Sequence, residues 1–378
     1  MTAVRPEATP LVPILAERIR ARGPITFAEY MEACLYHPQH GYYAKAIQDP
    51  RRDYFTSVDV SPVFGRLLAR QFHEMWTQLG RPDPFWLVEA GAGTGALAKQ
   101  ILDCAADSLG DFYAALRYVA VERSAARRAA HSEALEPHAA SGRAQSAADM
   151  PPEIHCGCIF SNELFDAMPV HRVVAEKGAL RELFVAMGET GFREATGALS
   201  KSALREYFAR QGTALQERQQ AEVSLATCDW IEAAGRKLGR GFVLTVDYGH
   251  EARELYDERH MRGTLLAYSR HRASEDYFRA PGEQDLTAHV NFTALDVWGR
   301  RGGLVRTGLT SQTNFLLALA RHGRLEDLQA EGRSEREQER SRLLFKTLIY
   351  PEGMGETFQV LAQHKGIESP HLAGFDPL

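Results

Sequence analysis

Strand-like and helix-like patterns alternate along this chain from about residue 85 onward. Short apolar runs of strand length recur near 85–89, 116–121, 143–146, 157–162 and 241–250. Residues with helical spacing fill 96–106, between the first and second runs, and 124–135, between the second and third. This rhythm is typical of parallel strands that are joined by helices on right-handed crossovers. We therefore expect an α/β fold with a doubly wound, mostly parallel sheet.

The first part of the chain has a different pattern. Apolar residues have helical spacing over 11–22 and again from Pro62 to about Leu79, with turn-like segments between these two stretches. A Pro-rich link then leads into the first strand. The pattern predicts an N-terminal helical segment over 1–84 and an α/β domain over 85–378.

Two insertions interrupt the predicted domain. Residues 186–240 are expected to be a mainly helical insertion, and residues 270–291 a loop-rich one. Further along, the charged run 325–342 is predicted to be a solvated helix, and the last strand is expected near 356–363.

The loop after the first strand holds three glycines at alternate positions, Gly91, Gly93 and Gly95. Without a Cβ, such a backbone can approach a ligand closely. Glu89 lies just before the loop, and Glu122 ends the next strand, where a carboxylate suits ribose hydroxyl groups. Together these features predict an adenosine-containing cofactor.

Two cofactors fit this loop. S-adenosylmethionine is favoured, because Glu89 would repel a pyrophosphate but would attract the ammonium group of this cofactor. The spacing Gly91-x-Gly93-x-x-Ala96 also satisfies the NAD(P) fingerprint, which would place a pyrophosphate at the helix N-terminus. A tight strand-to-helix turn without any ligand is the third interpretation.

Polar residues follow the apolar strands, at the edge where open α/β sheets bind their ligands. These residues are Glu89, Glu122, Asn162, Glu163 and Asp247. Asp149 follows the third strand, where a contact with adenine and a helix N-cap are both compatible with the sequence. Their positions predict a single polar crevice around the cofactor.

The same strand ends supply candidate catalytic residues. Methyl transfer from a sulfonium mainly needs positioning and desolvation, because the cofactor supplies the leaving group. An arginine acceptor is protonated in water, so carboxylates must orient it and receive its proton. Glu163 and Asp166 are the predicted pair, and Asp247 with His250 is a second candidate set. Simple capping of the helix at Leu164 is the alternative.

The composition narrows the class of protein. A hydrophobic content of 44% and a charged content of 25% are typical of globular chains. The net charge of −5 provides no basic field to attract nucleic acid, and no apolar stretch reaches the roughly 20 residues of a membrane span. Five scattered cysteines indicate a reduced, intracellular protein. Cys156-Gly157-Cys158 lacks a second ligand pair, so no metal site is expected.

Ordered motifs extend over nearly the whole chain. They are Gly23-Pro24-Ile25-Thr26-x-x-Glu29-Tyr30-Met31, His37-Pro38-x-x-Gly41-Tyr42-Tyr43, Phe55-Thr56-Ser57, Asn162-Glu163-x-Phe165-Asp166, Asp247-Tyr248-Gly249-His250, Pro281-Gly282-x-x-Asp285-Leu286-Thr287 and Met354-Gly355-Glu356-x-Phe358. As a set they resemble the MidA-like family of S-adenosylmethionine-dependent methyltransferases. That family includes the mitochondrial arginine methyltransferase that assists complex I assembly.

The resemblance implies a class I methyltransferase fold with an N-terminal helical segment. It implies S-adenosylmethionine as the cofactor, held by the glycine loop, and it adds Thr56 and Ser57 to the expected cofactor-binding residues. It also implies a protein substrate, since members are linked to symmetric ω-N dimethylation of an arginine in the 49-kDa subunit of complex I. A small-molecule amine methyltransferase, or an assembly factor that keeps the fold without catalysis, stays an alternative.

The expected location follows from the start of the chain. No clear transit or signal peptide is present near Met1, which favours the bacterial cytoplasm over the mitochondrial matrix. The resemblance implies a protein substrate as the partner, and the charge and hydropathy of the chain favour neither nucleic acid nor membrane insertion. The sequence does not indicate an oligomeric state.

Overall fold

The computed structural model describes residues 6–44, 62–269, 272–322 and 358–378, together with the single positions 343, 346 and 349. The chain divides into two compact units. We call the first the antiparallel unit; it comprises Met1–Tyr54, Phe165–Trp230 and Gly249–Trp298. We call the second the parallel-sheet unit; it comprises Phe55–Leu164, Ile231–Tyr248 and Gly299–Leu378.

The strands of the described residues are numbered in chain order. They are β1 (Ile25–Thr26), β2 (Phe85–Ala90), β3 (Leu116–Val121), β4 (Ala144–Ala147), β5 (Ile154–Asn162), β6 (His171–Glu176), β7 (Ala179–Met187), β8 (Phe192–Gly197), β9 (Gln220–Val223), β10 (Leu238–His250), β11 (Leu266–Ser269), β12 (Arg272–Ser274), β13 (Asp285–Thr287), β14 (Val290–Asn291), β15 (Val305–Ser311) and β16 (Phe358–Lys365).

The α-helices are numbered in the same way. They are α1 (Leu11–Arg22), α2 (Phe27–Tyr36), α3 (Pro62–Gln78), α4 (Ala96–Ser108), α5 (Gly110–Ala115), α6 (Ala125–Arg128), α7 (His131–Ala134), α8 (Glu136–Ala140), α9 (Ala203–Gln211), α10 (Leu225–Lys237), α11 (Ala252–Leu255), α12 (Phe292–Arg301) and α13 (Gln312–His322). No helix in these described parts of the chain is both long enough and apolar enough to cross a membrane.

The parallel-sheet unit is built on a sheet with the strand order β15-β16-β10-β5-β2-β3-β4. Strand β16 is antiparallel to both of its neighbours, whereas β10, β5, β2, β3 and β4 run parallel to one another. The order along the chain reverses at β2, since β3 lies on one side of it and β5 on the other. This confirms the predicted fold class, and the reversal marks the sheet edge where such folds bind ligands.

Apolar faces explain why the helices lie where they do. In the parallel-sheet unit, α3 buries its apolar side against the sheet, and the rings of Phe72 and Phe160 lie 4.8 Å apart between centroids. Residues 62–84 therefore belong with this sheet, whereas residues 6–44 belong to the antiparallel unit. The predicted segment 1–84 is divided between the units, because helical periodicity does not reveal which core a helix covers.

The antiparallel unit contains one sheet with the strand order β1-β7-β6-β9, in which β8 also pairs with β7. A second, smaller sheet has the order β12-β11-β13. Strands β8 and β9 lie inside the segment 186–240 that was predicted to be mainly helical. Strand β9 is only four residues long and forms by pairing with β6, a distant contact that a local pattern cannot reveal. Similarly, β12, β13 and β14 lie inside the predicted loop insertion 270–291.

Two expectations fall on other parts of the chain. The charged run 325–342, predicted to be helical, and the Met354-Gly355-Glu356 motif lie outside the described residues. The last predicted strand corresponds to β16, which begins at Phe358 and pairs with β10 and β15.

Candidate functional site

The glycine loop connects β2 to α4 at the carboxyl edge of the parallel sheet. Gly91, Gly93 and Gly95 have φ angles of 76°, 55° and 83°, a left-handed conformation that glycine adopts without strain. The backbone N–H groups of Gly91 and Ala92 both donate to the carbonyl oxygen of Val121 at 2.9 Å. The loop is therefore fixed to the end of β3.

The three glycines differ in their surroundings. An added Cβ at Gly91 would lie 2.9 Å from Leu164, and one at Gly95 would lie 3.2 Å from the ring of His131. An added Cβ at Gly93 would meet no atom of the described residues within 4 Å. The backbone of Gly93 is thus open on one side, as expected for a loop that cradles a ligand.

Glu122 holds this loop through its carboxylate. Its Oε2 accepts a hydrogen bond from the backbone N–H of Gly93 at 3.0 Å, and its Oε1 accepts one from the N–H of Ser124 at 2.7 Å. A carboxylate offers about four lone-pair directions, so both oxygens can still accept a hydroxyl hydrogen from a ribose. The sequence placed Glu122 at the strand end but did not indicate its bond to the loop.

His131 is a second anchor of the loop, which no pattern in the sequence indicated. It lies in α7, is 2% exposed, and joins the carbonyl oxygen of Gly93 to the hydroxyl of Ser146. Burial lowers its pKa below the ordinary value, which favours the neutral imidazole. A carbonyl oxygen can only accept, so Nε2 carries the proton and Nδ1 accepts from Ser146.

Glu89 is the second acid of the predicted cofactor site, and it lies within β2. Its side chain is 3% exposed, and its Oε2 accepts a hydrogen bond from the hydroxyl of Tyr118 at 2.6 Å. Burial raises the pKa of Glu89 to about 7, a rise that the hydrogen bond from Tyr118 opposes and the charge of Glu122 increases. A buried carboxyl of this kind can be ionised when a cation lies beside it and neutral otherwise.

The carboxyl ends of β5 and β10 form the next part of the site. Asn162 Nδ2 donates to Glu163 Oε1 at 3.1 Å, and Asn162 Oδ1 is buried with no hydrogen-bond partner among the described residues. Asp247, fully buried, accepts from the N–H groups of Leu164 and Tyr248 at 3.1 and 3.0 Å. Asp247 therefore fixes the turn that follows β5.

Glu163 has an unusual backbone conformation in this turn. Its φ is 52°, a left-handed value that costs energy for a residue with a side chain, and its N–H donates to the carbonyl oxygen of Val246. The side chain of Glu163 is half-buried. Strain of this kind is often found at functional sites, where the surrounding bonds hold it in place.

The remaining predicted site residues lie elsewhere. Asp149 is exposed in the segment after β4. Asp166 and His250 belong to the antiparallel unit, where Asp166 is buried and its carbonyl oxygen accepts from the N–H of Ala288. Thr56 and Ser57 lie outside the described residues.

The residues at this edge fit an adenosine-containing cofactor with a charged amino-acid end. Gly93 offers an uncovered backbone, and Glu122 lies at the strand end where ribose hydroxyls are bound in such sheets. The oxygen of Asn162 and the buried carboxyl of Glu89 are polar groups that a ligand can satisfy. The arrangement can bind such a molecule and can orient a group beside Glu163.

Comparisons with known proteins indicate the same class of cofactor. Residues 67–310 match the model of a family described as S-adenosyl-L-methionine-dependent methyltransferases. A crystal structure of a Burkholderia thailandensis protein with bound S-adenosylhomocysteine shares 31% identity. The match covers 97% of this chain and 94% of that one, with a TM-score of 0.85.

Curated relatives extend over nearly the whole chain. The Drosophila melanogaster protein arginine methyltransferase NDUFAF7 homolog, mitochondrial, is 30% identical over 95% of this chain and 86% of its own length. The Homo sapiens protein arginine methyltransferase NDUFAF7, mitochondrial, is 28% identical over 94% of this chain and 83% of its own. The predicted bacterial cytoplasmic location is wrong by this comparison, because these relatives are named as mitochondrial proteins.

Proposed function

The chain belongs to the S-adenosyl-L-methionine-dependent methyltransferase family, and we propose that it transfers the methyl group to an arginine side chain of a protein. Membership in the family confirms S-adenosylmethionine as the cofactor, in place of NAD(P). The observation that carries the proposal is the name shared by the curated relatives, protein arginine methyltransferase, at matches over more than nine-tenths of this chain.

We propose that the carboxyl edge of the parallel sheet holds the cofactor. Gly93 would lie against it, Glu122 would accept from the ribose hydroxyls, and Asn162 Oδ1 would accept a further hydrogen bond. Glu89 would face the ammonium group, whose positive charge stabilises the ionised form of a buried carboxyl. When bound, the cofactor supplies an electrophilic methyl group attached to a sulfonium, and the neutral thioether is the leaving group.

Glu163 is the proposed contact with the acceptor. An arginine guanidinium is protonated in water, so the attacking nitrogen must be oriented and must lose a proton as its bond to the methyl carbon forms. A carboxylate does both, because it accepts directed hydrogen bonds from the guanidinium and can take up the proton. The half-buried Glu163, held by Asn162, is suited to this role.

Asp247 is a positioning residue in this proposal. Its two oxygens bind the N–H groups of Leu164 and Tyr248, so it holds the backbone next to Glu163 rather than the acceptor itself. Asp166 and His250 stay predictions as catalytic residues, and Asp149, Thr56 and Ser57 stay predictions as cofactor contacts.

The acceptor is proposed to be a subunit of respiratory complex I of the 49-kDa type, on the resemblance to the MidA-like family. The test incubates the full chain with methyl-labelled S-adenosylmethionine and the purified subunit, followed by complete hydrolysis to amino acids. We expect label in ω-N-methylated arginine, with symmetric dimethylarginine as the final product. A Glu163→Gln variant in the same assay serves as the control for catalysis by this chain.

The other outcomes separate the alternatives. Label that appears only in low-mass amines would instead indicate a small-molecule methyltransferase. Cofactor binding measured by calorimetry, without transfer to the subunit or to other proteins in a mitochondrial extract, would favour a non-catalytic assembly factor. Label in lysine or in protein carboxyl groups would contradict arginine as the acceptor while keeping the methyltransferase activity.

A further inference from the structure

Three histidines converge within the antiparallel unit, outside the cofactor site. His250 ends β10, His260 ends the 3-10 helix Glu258–His260, and His289 lies between β13 and β14. One nitrogen from each ring lies within 4.8 Å of one nitrogen from each of the others. We propose that His250, His260 and His289 bind a divalent transition-metal ion, with Zn²⁺ as the ion best suited to three imidazoles.

The backbone around the three rings is held by hydrogen bonds. Strand β14 pairs with the end of β10, with His250 opposite Asn291, which brings His289 next to His250. The N–H of His289 donates to the hydroxyl of Thr264 at 3.0 Å. The side chain of Asn291 donates to the hydroxyl of Tyr256. The segments that carry His250 and His289 therefore have a fixed separation before any ion arrives.

Glu254 orients two of the rings. Nδ1 of His260 lies 3.0 Å from the backbone carbonyl oxygen of Glu254, and Nδ1 of His250 lies 3.4 Å from its carboxylate. Metal-binding histidines usually direct their second nitrogen at a carboxylate or a carbonyl, which fixes the tautomer and leaves the other nitrogen for the ion. Glu254 thus leaves Nε2 of His250 and of His260 for the metal.

The separation of the rings is compatible with coordination. Zn–N bonds of about 2.0 Å at a tetrahedral ion place the ligand nitrogens about 3.3 Å apart, somewhat closer than the 4.8 Å within which the three nitrogens lie. The side chains of His250 and His260 are 22% and 20% exposed, so small rotations about their side-chain bonds can bring the nitrogens together. Their ring centroids lie 5.5 Å apart, and those of His250 and His289 lie 5.3 Å apart.

Space is available beside two of the three rings. His260 and His289 line a cavity of about 240 Å³ within the same unit, together with Arg172, Glu275 and Tyr277. Three protein ligands leave a fourth position on a tetrahedral ion, which in such sites is taken by water or by a bound anion. The cavity has room for that fourth ligand.

The experiment uses the full chain without a polyhistidine tag, stripped with a chelator and then titrated with Co²⁺ and Zn²⁺. We expect about one equivalent of Co²⁺ to produce the visible absorption bands of a four-coordinate ion, and Zn²⁺ to displace it. His260→Ala and His289→Ala should weaken the affinity at least tenfold. Glu254→Gln, which keeps every proposed ligand, should weaken it by about tenfold.

His73→Ala is the matched control. His73 has the same intermediate exposure and packs against Trp76 in the parallel-sheet unit, so the variant loses one imidazole without touching the cluster. Its affinity for Co²⁺ should equal that of the unaltered chain. Thermal unfolding without metal checks that each variant is folded, and His289→Gln replaces His289→Ala if the smaller side chain destabilises the unit.

Several results would overturn the proposal. They are the absence of Co²⁺ bands at millimolar concentration, equal affinity in the His260, His289 and His73 variants, and intense thiolate charge-transfer bands that assign the ion to cysteine. Because binding is measured without cofactor or acceptor, failure of the proposed arginine methylation has no bearing on these results.

Discussion

The imidazole of His131 donates a hydrogen bond of 3.0 Å from Nε2 to the carbonyl oxygen of Gly93. Gly93 is also held on its amide side, where its N–H donates to Glu122. The peptide groups on both sides of Gly93 are thereby fixed before a cofactor arrives. A preorganised loop binds more tightly, because less conformational freedom is lost on binding.

We expect His131→Ala to lower both stability and cofactor affinity. The change leaves the Gly93 carbonyl without its donor and leaves a cavity, at a cost of about 2 kcal/mol in the free energy of unfolding. His138→Ala is the control, since His138 is 4% exposed, bonds to Tyr113 and Asp103, and has no hydrogen bond to the loop among the described residues. Urea unfolding should show similar losses for both variants, and calorimetry should show weaker S-adenosylmethionine binding for His131→Ala alone. Equal affinities would contradict a role for His131 in the loop.

Gly93→Asn should block the cofactor without unfolding the protein. Asparagine tolerates a positive φ better than other side chains do, so the main effect is to fill the space where a ligand would lie. Gly142→Asn is the control, because Gly142 has a φ of 71° and equally open surroundings before β4. We expect the Kd for S-adenosylhomocysteine to rise at least about tenfold for Gly93→Asn, which is about 1.4 kcal/mol. An unchanged Kd would place the cofactor elsewhere.

Glu163→Gln should separate catalysis from cofactor binding. The amide keeps the size of the side chain but cannot take a proton, so kcat is expected to fall about 100-fold while the Kd for S-adenosylmethionine stays within about twofold. Glu153→Gln, at an exposed acid just before β5, should change neither quantity. Single-turnover transfer to the acceptor protein is the measurement, and retention of full turnover by Glu163→Gln would remove Glu163 from the proposed mechanism.

Glu89 should make the stability of the free protein depend on pH. Its pKa is about 7 in the folded state, above the ordinary value of 4.5, because burial disfavours the charge. Between pH 4.5 and pH 7 the folded protein binds more protons than the unfolded chain. The contribution of Glu89 to the free energy of unfolding therefore falls as the pH rises through this range, and it is constant above about pH 7. The full effect is about 3 kcal/mol.

The measurement compares Glu89→Gln with the unaltered chain by urea unfolding at pH 5 and pH 8, without cofactor. The amide oxygen can still accept from Tyr118, so the variant removes the titration while keeping the hydrogen bond. We expect the stability of Glu89→Gln relative to the unaltered chain to increase by about 2 to 3 kcal/mol from pH 5 to pH 8. Parallel pH profiles would contradict a buried, titrating Glu89.

Some elements could be predicted from local pattern because their residues carry the information themselves. Strand β2 and the glycine loop are of this kind, since a buried apolar run followed by alternate glycines has few other structural interpretations. Strand β9 is different. Its four residues resemble their helical neighbours in sequence, and they form a strand only because β6 offers an unpaired edge.

The site was predicted in the same uneven way. Glu122 could be placed from its position after an apolar strand, because strand ends in a parallel sheet meet at one edge. His131 could not be predicted, since it follows a stretch of short helical turns and its partner Gly93 is 38 residues earlier in the chain. The sequence offers no metal-binding spacing for His250, His260 and His289 either.

By itself, the sequence determined the alternation of strands and helices, the glycine loop after β2 and the acids at the strand ends, because hydrophobic periodicity and glycine spacing act over a few neighbouring residues. Only the tertiary structure decided which side chains hold that loop, where α3 packs, and that three distant histidines meet in one place. Those outcomes depend on hydrogen-bond directions and packing between segments far apart in the chain, and no local pattern specifies such distances.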